Sequence, residues 1–456
     1  MKIKTPYPLS KACIQCFFVF TLSCYFIFVL NPFFPSFSYD SYNNQRFYQI
    51  LLIAFCSSST LYLFYVDNGW KININKSFVY MYILFLCIGF LSAIFSSESK
   101  FSVMYACHFV LLGGLLLFSN QITSKKSILY FLYAVLITHS FLVLLGFLNI
   151  VFSLFHNAPL DANIIYSNFI NIRFFNQVQI FILPILIFLI HIKKIRIIAT
   201  FFLILNILLL FIGHARGAVL TSLFVMSIIY IICKPFKKTI FYTLIIYLLT
   251  YLIFLFLSSL TATNIEELNL NSSQRFEMWF DILKNLTYKN IFIGHGPGVY
   301  TSELHIYTPQ YSHPHNSFLQ TLYEWGGLAL LIISFLIFTT IIKFIKHINK
   351  HQNDSLTLTL FYSWFSGIFY SLVSGVIVMP VPQTLLFITW GVLLSRLNKK
   401  PFLVASCKPI SFIFIFITFI MLIFLYANCS YFFYKIIDIN EGLTHNPGFW
   451  SIGKRF

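Results

Sequence analysis

The stretch Phe412–Leu425 reads FIFIFITFIMLIFL. A strand of a lipid-facing barrel alternates apolar and polar residues. This run does not alternate, since only Thr418 is polar. Backbone N–H and C=O groups find no partner in lipid, so such a segment is expected to be a helix. Similar runs of about 20 residues recur along the 456-residue chain between short polar breaks, the length that a bilayer roughly 30 Å thick requires. Composition agrees, with 59% hydrophobic and only 9% charged residues, against about 25% charged in a soluble domain. The expected fold is all-α, a polytopic membrane bundle of about 12–13 transmembrane helices with one large outer loop.

The spans are predicted at roughly 13–34, 47–66, 77–95, 101–118, 127–152, 174–192, 196–213, 216–233, 239–260, 317–342, 355–379, 381–396 and 410–434. The first follows Lys2, Lys4 and Lys11, as a signal peptide would. It is too long for a signal core and no small-residue cleavage site follows, so it is read as a retained helix. The pattern divides the chain into N-terminal helices (1–260, about nine spans), a loop with the chemistry-bearing motifs (261–316), C-terminal helices (317–434) and a tail (435–456). The step around Pro380 and Pro382 decides the side of the C-terminus. A crossing puts the tail outside, and a re-entrant segment returns it to the cytoplasm.

The net charge of +17 invites a nucleic-acid reading, which the distribution of charge removes. With the N-terminus inside, most basic residues fall in cytoplasmic segments, as in Lys193, Lys194 and Arg196 or Lys234, Lys237 and Lys238. That is the positive-inside rule, and these lysines set orientation and meet anionic lipid heads. The outside set is Arg46, Lys100, Arg173, Arg216, Arg275, Lys284, Lys289, Lys435, Lys454 and Arg455. Orientation disfavours cations there, and binding an anion at the outer surface is one reason to keep them. The nine cysteines lie in or beside apolar runs, where a thiol is a small apolar packing group.

The one long connection, Thr261 to His315, begins with polar residues through Ser272 and Ser273, either of which can cap a helix. Phe276, Trp279, Phe280 and Leu283 follow at helical spacing, a stripe suited to a short helix on the bilayer surface that would hold Arg275 at headgroup level. Gly294-His295-Gly296-Pro297-Gly298 is a turn whose backbone N–H groups are candidates for approaching a phosphate or sugar. The loop closes on His313-Pro314-His315-Asn316. His315 is the candidate proton acceptor at the mouth of a membrane cavity. Asn316, Gln320 and Glu324 continue as a polar stripe, read either as a lining for substrate or as a helix cap and a core hydrogen bond. His295, His305, His313 and His315 have irregular spacing and no cysteine or paired carboxylate beside them, which argues against zinc. Arg173, and Arg216 in the turn Gly213-His214-Ala215-Arg216-Gly217, add two outer guanidiniums. With Arg275 they read as a diphosphate clamp.

Arg216 in its turn, Arg275 with Trp279, the glycine-rich turn, and His315 through Gln320 with Glu324 and Gly326 resemble the O-antigen ligase and polymerase superfamily. The resemblance is specific from about Arg173 to Ala329. Gly326-Gly327-Leu328-Ala329 departs mildly from the family in lacking a second hydroxyl residue. The resemblance implies a multi-pass protein of a Gram-negative inner membrane with its active site on the periplasmic face. It further implies metal-independent, inverting glycosyl transfer without a cofactor, from a glycan on undecaprenyl diphosphate to the lipid A–core oligosaccharide. In that reading His315, Arg216 and Arg275 are catalytic, and Arg173, Asn316, Gln320, Glu324, His313, Gly296 and Trp279 bind substrate. A growing glycan or a protein hydroxyl remains open as acceptor. Transport of a lipid-linked sugar is the competing class. It fits less well because charged or ionisable groups within the apolar runs are few, namely Glu324, His108 and His139.

Overall fold

The computed structural model describes residues 11–31, 41–66, 71–160, 165, 169, 172–261, 275–300, 313–398, 402–403, 417, 420–421, 423–425, 427 and 449–450. The described chain is helical apart from a two-residue antiparallel ladder that pairs β1 (Lys71–Ile72) with β2 (Phe402–Leu403). The helices are α1 Lys11–Leu30, α2 Ser41–Val66, α3 Lys76–Ile94, α4 Ser99–Ser119, α5 Lys125–Phe155, α6 Ile172–Ile190, α7 Arg196–Ile212, α8 Arg216–Ile232 and α9 Lys237–Leu260. They continue as α10 Arg275–Lys284, α11 Asn290–Ile293, α12 Ser317–Lys350, α13 Ser355–Tyr370 and α14 Pro380–Leu397. Among the described residues, 8 helices are long and apolar enough to cross a membrane: α1, α3, α4, α5, α6, α7 with its leading turn, α9 with its leading turn, and α12. The chain is a multi-pass membrane protein. Each expected span up to 381–396 coincides with a helix, whereas the last, 410–434, the tail 435–456 and Ser272 and Ser273 lie wholly or mostly outside the described residues.

Two differences from expectation have local causes. The span expected to run to 379 ends at Tyr370, and Pro380 occupies the first position of α14, where its missing N–H costs nothing. The span from Ser317 extends to Lys350 but breaks at Gly326, which sits at φ 86° and ψ 168°, a conformation open essentially to glycine alone. The helix α6 is buried on every side from Phe174 to Ile190, as an all-round apolar helix at the centre of a bundle should be. It packs on α13, where Gly367 lies against the Phe181 ring and Ser363 Oγ donates to the Phe181 carbonyl at 2.8 Å.

A polar lock closes the end of the bundle where α12 finishes. Asp354 accepts from Arg396 Nη2 at 2.9 Å, His347 Nε2 at 3.0 Å and Thr357 Oγ1 at 2.7 Å. Burial alone would raise this carboxyl, but the Thr357 and His347 hydrogen bonds and the Arg396 charge bring its pKa down to about 2. Lys343 Nζ donates to Asn398 Oδ1 at 3.0 Å nearby. The candidate site lies at the other end, where α12 begins.

Candidate active site

Three helices begin at this face with an arginine in the first turn: Arg173 in α6, Arg216 in α8 and Arg275 in α10. A helix start presents N–H groups without intrahelical partners and the positive end of the peptide dipoles. Arg173 and Arg216 are exposed and Arg275 is half-buried. The charges of Arg173 and Arg275 reach both His315 and the Tyr370 hydroxyl. The turn of Arg216 lies against the segment that carries Tyr370. A methyl group at Gly217 would sit 3.4 Å from the Tyr370 ring and 3.5 Å from Val373. The turn is tight, with His214 at φ 46° and its carbonyl accepting from Arg216 N at 2.8 Å.

His315 is held by its chain neighbours. Trp279 Nε1 donates to the Pro314 carbonyl at 2.8 Å. Asn316 caps α12 by accepting from the N–H groups of Phe318 and Leu319, both at 3.0 Å. Ser317 N donates to the Ser371 carbonyl at 2.8 Å, tying the start of α12 to the turn after α13. His315 itself adopts φ 52°, a left-handed backbone uncommon for a residue with a Cβ. The His313 and His315 rings lie 4.3 Å apart. Gly375 lies so close to His313 that a methyl group would come within 2.4 Å of its Nε2. Burial, then His313, Arg275 and Arg173, hold the His315 imidazole well below its ordinary range. At neutral pH it is therefore an uncharged acceptor set among cations.

The glycine-rich turn faces inward, and several of its N–H groups are taken by oxygens of α12. Because α12 breaks at Gly326, two of its carbonyls point outward to the turn. His295 N donates to the Tyr323 carbonyl and Gly296 N to the Glu324 carbonyl, both at 2.9 Å. The carboxylate of Glu324, 2% exposed, accepts from the N–H groups of Gly298 and Tyr300 and from Gln320 Nε2 at 3.0 Å. Gly294 N and Val299 N donate to Asn290 and Gly296 carbonyls. The side chain absent from Gly296 would meet Ser96 and Ser102 at 2.3 and 2.6 Å. Gly296, Gln320 and Glu324 thus form a joint between loop and helix, and His295 completes it by stacking on Tyr323 at 4.2 Å.

The stripe expected along α10 divides. Phe276, Phe280 and Leu283 are exposed, while Trp279 turns to Pro314. Ile282 is buried in a small core with Tyr300 and Tyr323. Arg46, grouped with the outer cations by sequence, is 1% exposed and held by neutral acceptors, so burial takes it out of any surface anion site. Sequence reading missed Tyr370, Ser371 and Gly375. The glycine ahead of Pro380 was the available signal that the chain turns there. His305 lies outside the described residues. Residues 199–334 match the O-antigen ligase family model, a segment that contains Arg216, Arg275, His313 and His315 and begins after Arg173. No curated protein matches the chain. Over those residues the chain is similar to the O-antigen ligase superfamily.

Proposed function

We propose that this protein transfers a glycan from undecaprenyl diphosphate to the lipid A–core oligosaccharide, at the periplasmic face of a Gram-negative inner membrane. The observation that carries the reading is a largely buried His315 beside His313, within electrostatic reach of two arginines that open helices at one face of the bundle. Arg275 and Arg216, with Arg173, grip the donor diphosphate. Guanidinium forks and helix starts both favour phosphate oxygens. His315 Nδ1 or Nε2 accepts the proton of the acceptor hydroxyl as its oxygen attacks the anomeric carbon. The carbon–oxygen bond to phosphate breaks with its electron pair on the diphosphate, and a single displacement inverts the anomeric centre. The arginines stabilise the charge that develops on the leaving group, the task a divalent cation performs in other transferases, so the reaction needs no metal. Trp279 and Asn316 position His315, and His313 lines its other side. Gln320, Glu324 and Gly296 serve by fixing the loop instead of touching substrate.

The test is the lipopolysaccharide profile of a deletion strain complemented with wild type or with His315→Ala. Loss of the ladder with polymer left on the lipid carrier, rescued by wild type alone, supports a ligase. Core carrying a single repeat means that the acceptor is another lipid-linked repeat. A profile unchanged by deletion overturns the lipid A–core assignment, and normal rescue by His315→Ala overturns the role of the histidine.

A further inference from the structure

Arg46, in the second turn of α2, places a full charge inside a membrane bundle at 1% exposure. Isolated buried charges are costly, and those that persist are paired or matched by hydrogen bonds. Among the described residues its hydrogen-bond partners are uncharged. Nε donates to the Phe449 carbonyl at 2.9 Å. Nη1 donates to Gln49 Oε1 at 2.5 Å and Gln383 Oε1 at 3.2 Å. Nη2 donates to the Tyr42 hydroxyl at 3.1 Å and to the Val378 carbonyl. The Phe449 ring lies 4.8 Å from the guanidinium carbon, and His108 Nε2 lies 3.4 Å from Nη1. All five N–H groups are used, so the guanidinium is a clasp with no donor left for an anion.

What it clasps is the turn after α13. Gln49 Nε2 donates to the Pro380 carbonyl at 2.9 Å and to Gln383 Oε1 at 2.9 Å. Gln383 Nε2 donates to the Ile377 carbonyl at 2.5 Å. Arg46 and the two glutamines therefore hold the carbonyls of Ile377, Val378 and Pro380. The same turn carries Ser371, which accepts from Ser317 N, and Gly375, which lies against the His313 ring. His313 in turn stands 4.3 Å from His315. An unbroken line of contacts runs from the C-terminal segment through Arg46 to the candidate base.

We propose that Arg46 is a positioning residue for the site: clasped by Phe449 of the C-terminal segment, it fixes the turn on which His313 and His315 rest. The proposal rests on the reading of His315 as the group that meets the acceptor. A cluster that only stabilised the bundle would change the amount of protein and leave the site's kinetics alone. A positioning residue changes the rate at saturating donor, because a displaced base costs on the order of tenfold to a hundredfold. Donor affinity, set by Arg173, Arg216 and Arg275, stays.

The experiment uses the full chain carrying Arg46→Lys, which keeps the charge and loses the fork, or Phe449→Ala, which uncovers the clasp. Transfer is measured beside His315→Ala. In parallel, Ser374→Cys is added to each chain, because Ser374 is 5% exposed in the same turn. Its reaction with a membrane-impermeant maleimide is read as the increment over the chain lacking that cysteine. The expected result for both variants is normal abundance, a fall in kcat with donor KM unchanged, and faster labelling at position 374. Wild-type transfer and labelling in both variants overturns the proposal. If Arg46→Lys is scarce in the membrane, Phe449→Ala decides by the same two readouts. If His315→Ala transfers normally, the reading of the site falls instead, while the labelling rate still decides whether Arg46 holds the turn.

Discussion

His315 has an environment that sets the direction of its pH response. Burial and the neighbouring His313, Arg275 and Arg173 disfavour its protonated form, so the neutral, proton-accepting form persists to pH values below the ordinary imidazole range near 6.5. Activity that needs this form is lost as pH falls through the lowered value, not at it from above. Arg173→Gln removes one of the opposing charges, and the acidic limb of kcat/KM is then expected to move to higher pH. A limb that stays in place would separate His315 from that limb. A bound diphosphate offsets the same cations, so the limb of kcat should lie above that of kcat/KM. Arg216→Lys and Arg275→Lys are each expected to lose activity by about tenfold or more, because an ammonium cannot reproduce a bidentate fork. In vitro transfer from a lipid-linked donor measures both, and wild-type rates in both variants would remove the diphosphate clamp.

Among the elements, the break in α12 decides how the loop is attached. A methyl group at Gly326 would come within 2.2 Å of the Phe292 carbonyl oxygen, and the backbone conformation alone costs a non-glycine residue on the order of 1–3 kcal/mol. Gly326→Ala is therefore expected to release the turn from Glu324, seen as faster proteolysis between α10 and α12 together with lost transfer. Gly217→Ala, where a methyl meets only ordinary contacts at 3.4 and 3.5 Å, is the control for packing. Spans such as α3 and α7 were legible in the sequence because lysines or arginines mark their ends and lipid demands unbroken apolar length. The break was not legible, since a glycine inside a helix signals a kink no more than close packing. Nor was the inward face of the glycine-rich turn, because its partners are backbone carbonyls freed by that break. His315, Arg216 and Arg275 stood out because ionisable groups at the mouth of a bundle have few structural uses. Arg46 has the same sequence context, and only its fit among Gln49, Gln383 and Phe449 separates it from them.

At the scale of the whole molecule the two ends of the bundle do different work. The far end is a lock, in which Asp354 joins α12, α13 and α14 through His347, Thr357 and Arg396. Its carboxyl pKa is lowered to about 2, so its stabilising contribution is complete above the ordinary carboxylate value near 4 and fades as pH falls toward about 2. Asp354→Asn is expected to lower stability by about 1–2 kcal/mol, measured as a drop in Tm of detergent-solubilised protein, and to leave catalysis at the opposite end unchanged at permissive temperature. A Tm equal to wild type would mean that the lock contributes nothing. The near end is a rim of cations, and under the proposed reaction that rim has a consequence for turnover. The departing carrier keeps every phosphate oxygen that the arginines hold, so the grip that recruits the loaded lipid also retains the spent one. The bond that breaks leaves one more negative charge on that diphosphate, so the cations hold the spent carrier at least as tightly as the loaded one. Release of the empty carrier into the bilayer then sets the pace, and free undecaprenyl diphosphate should act as a competitive inhibitor of the protein that made it.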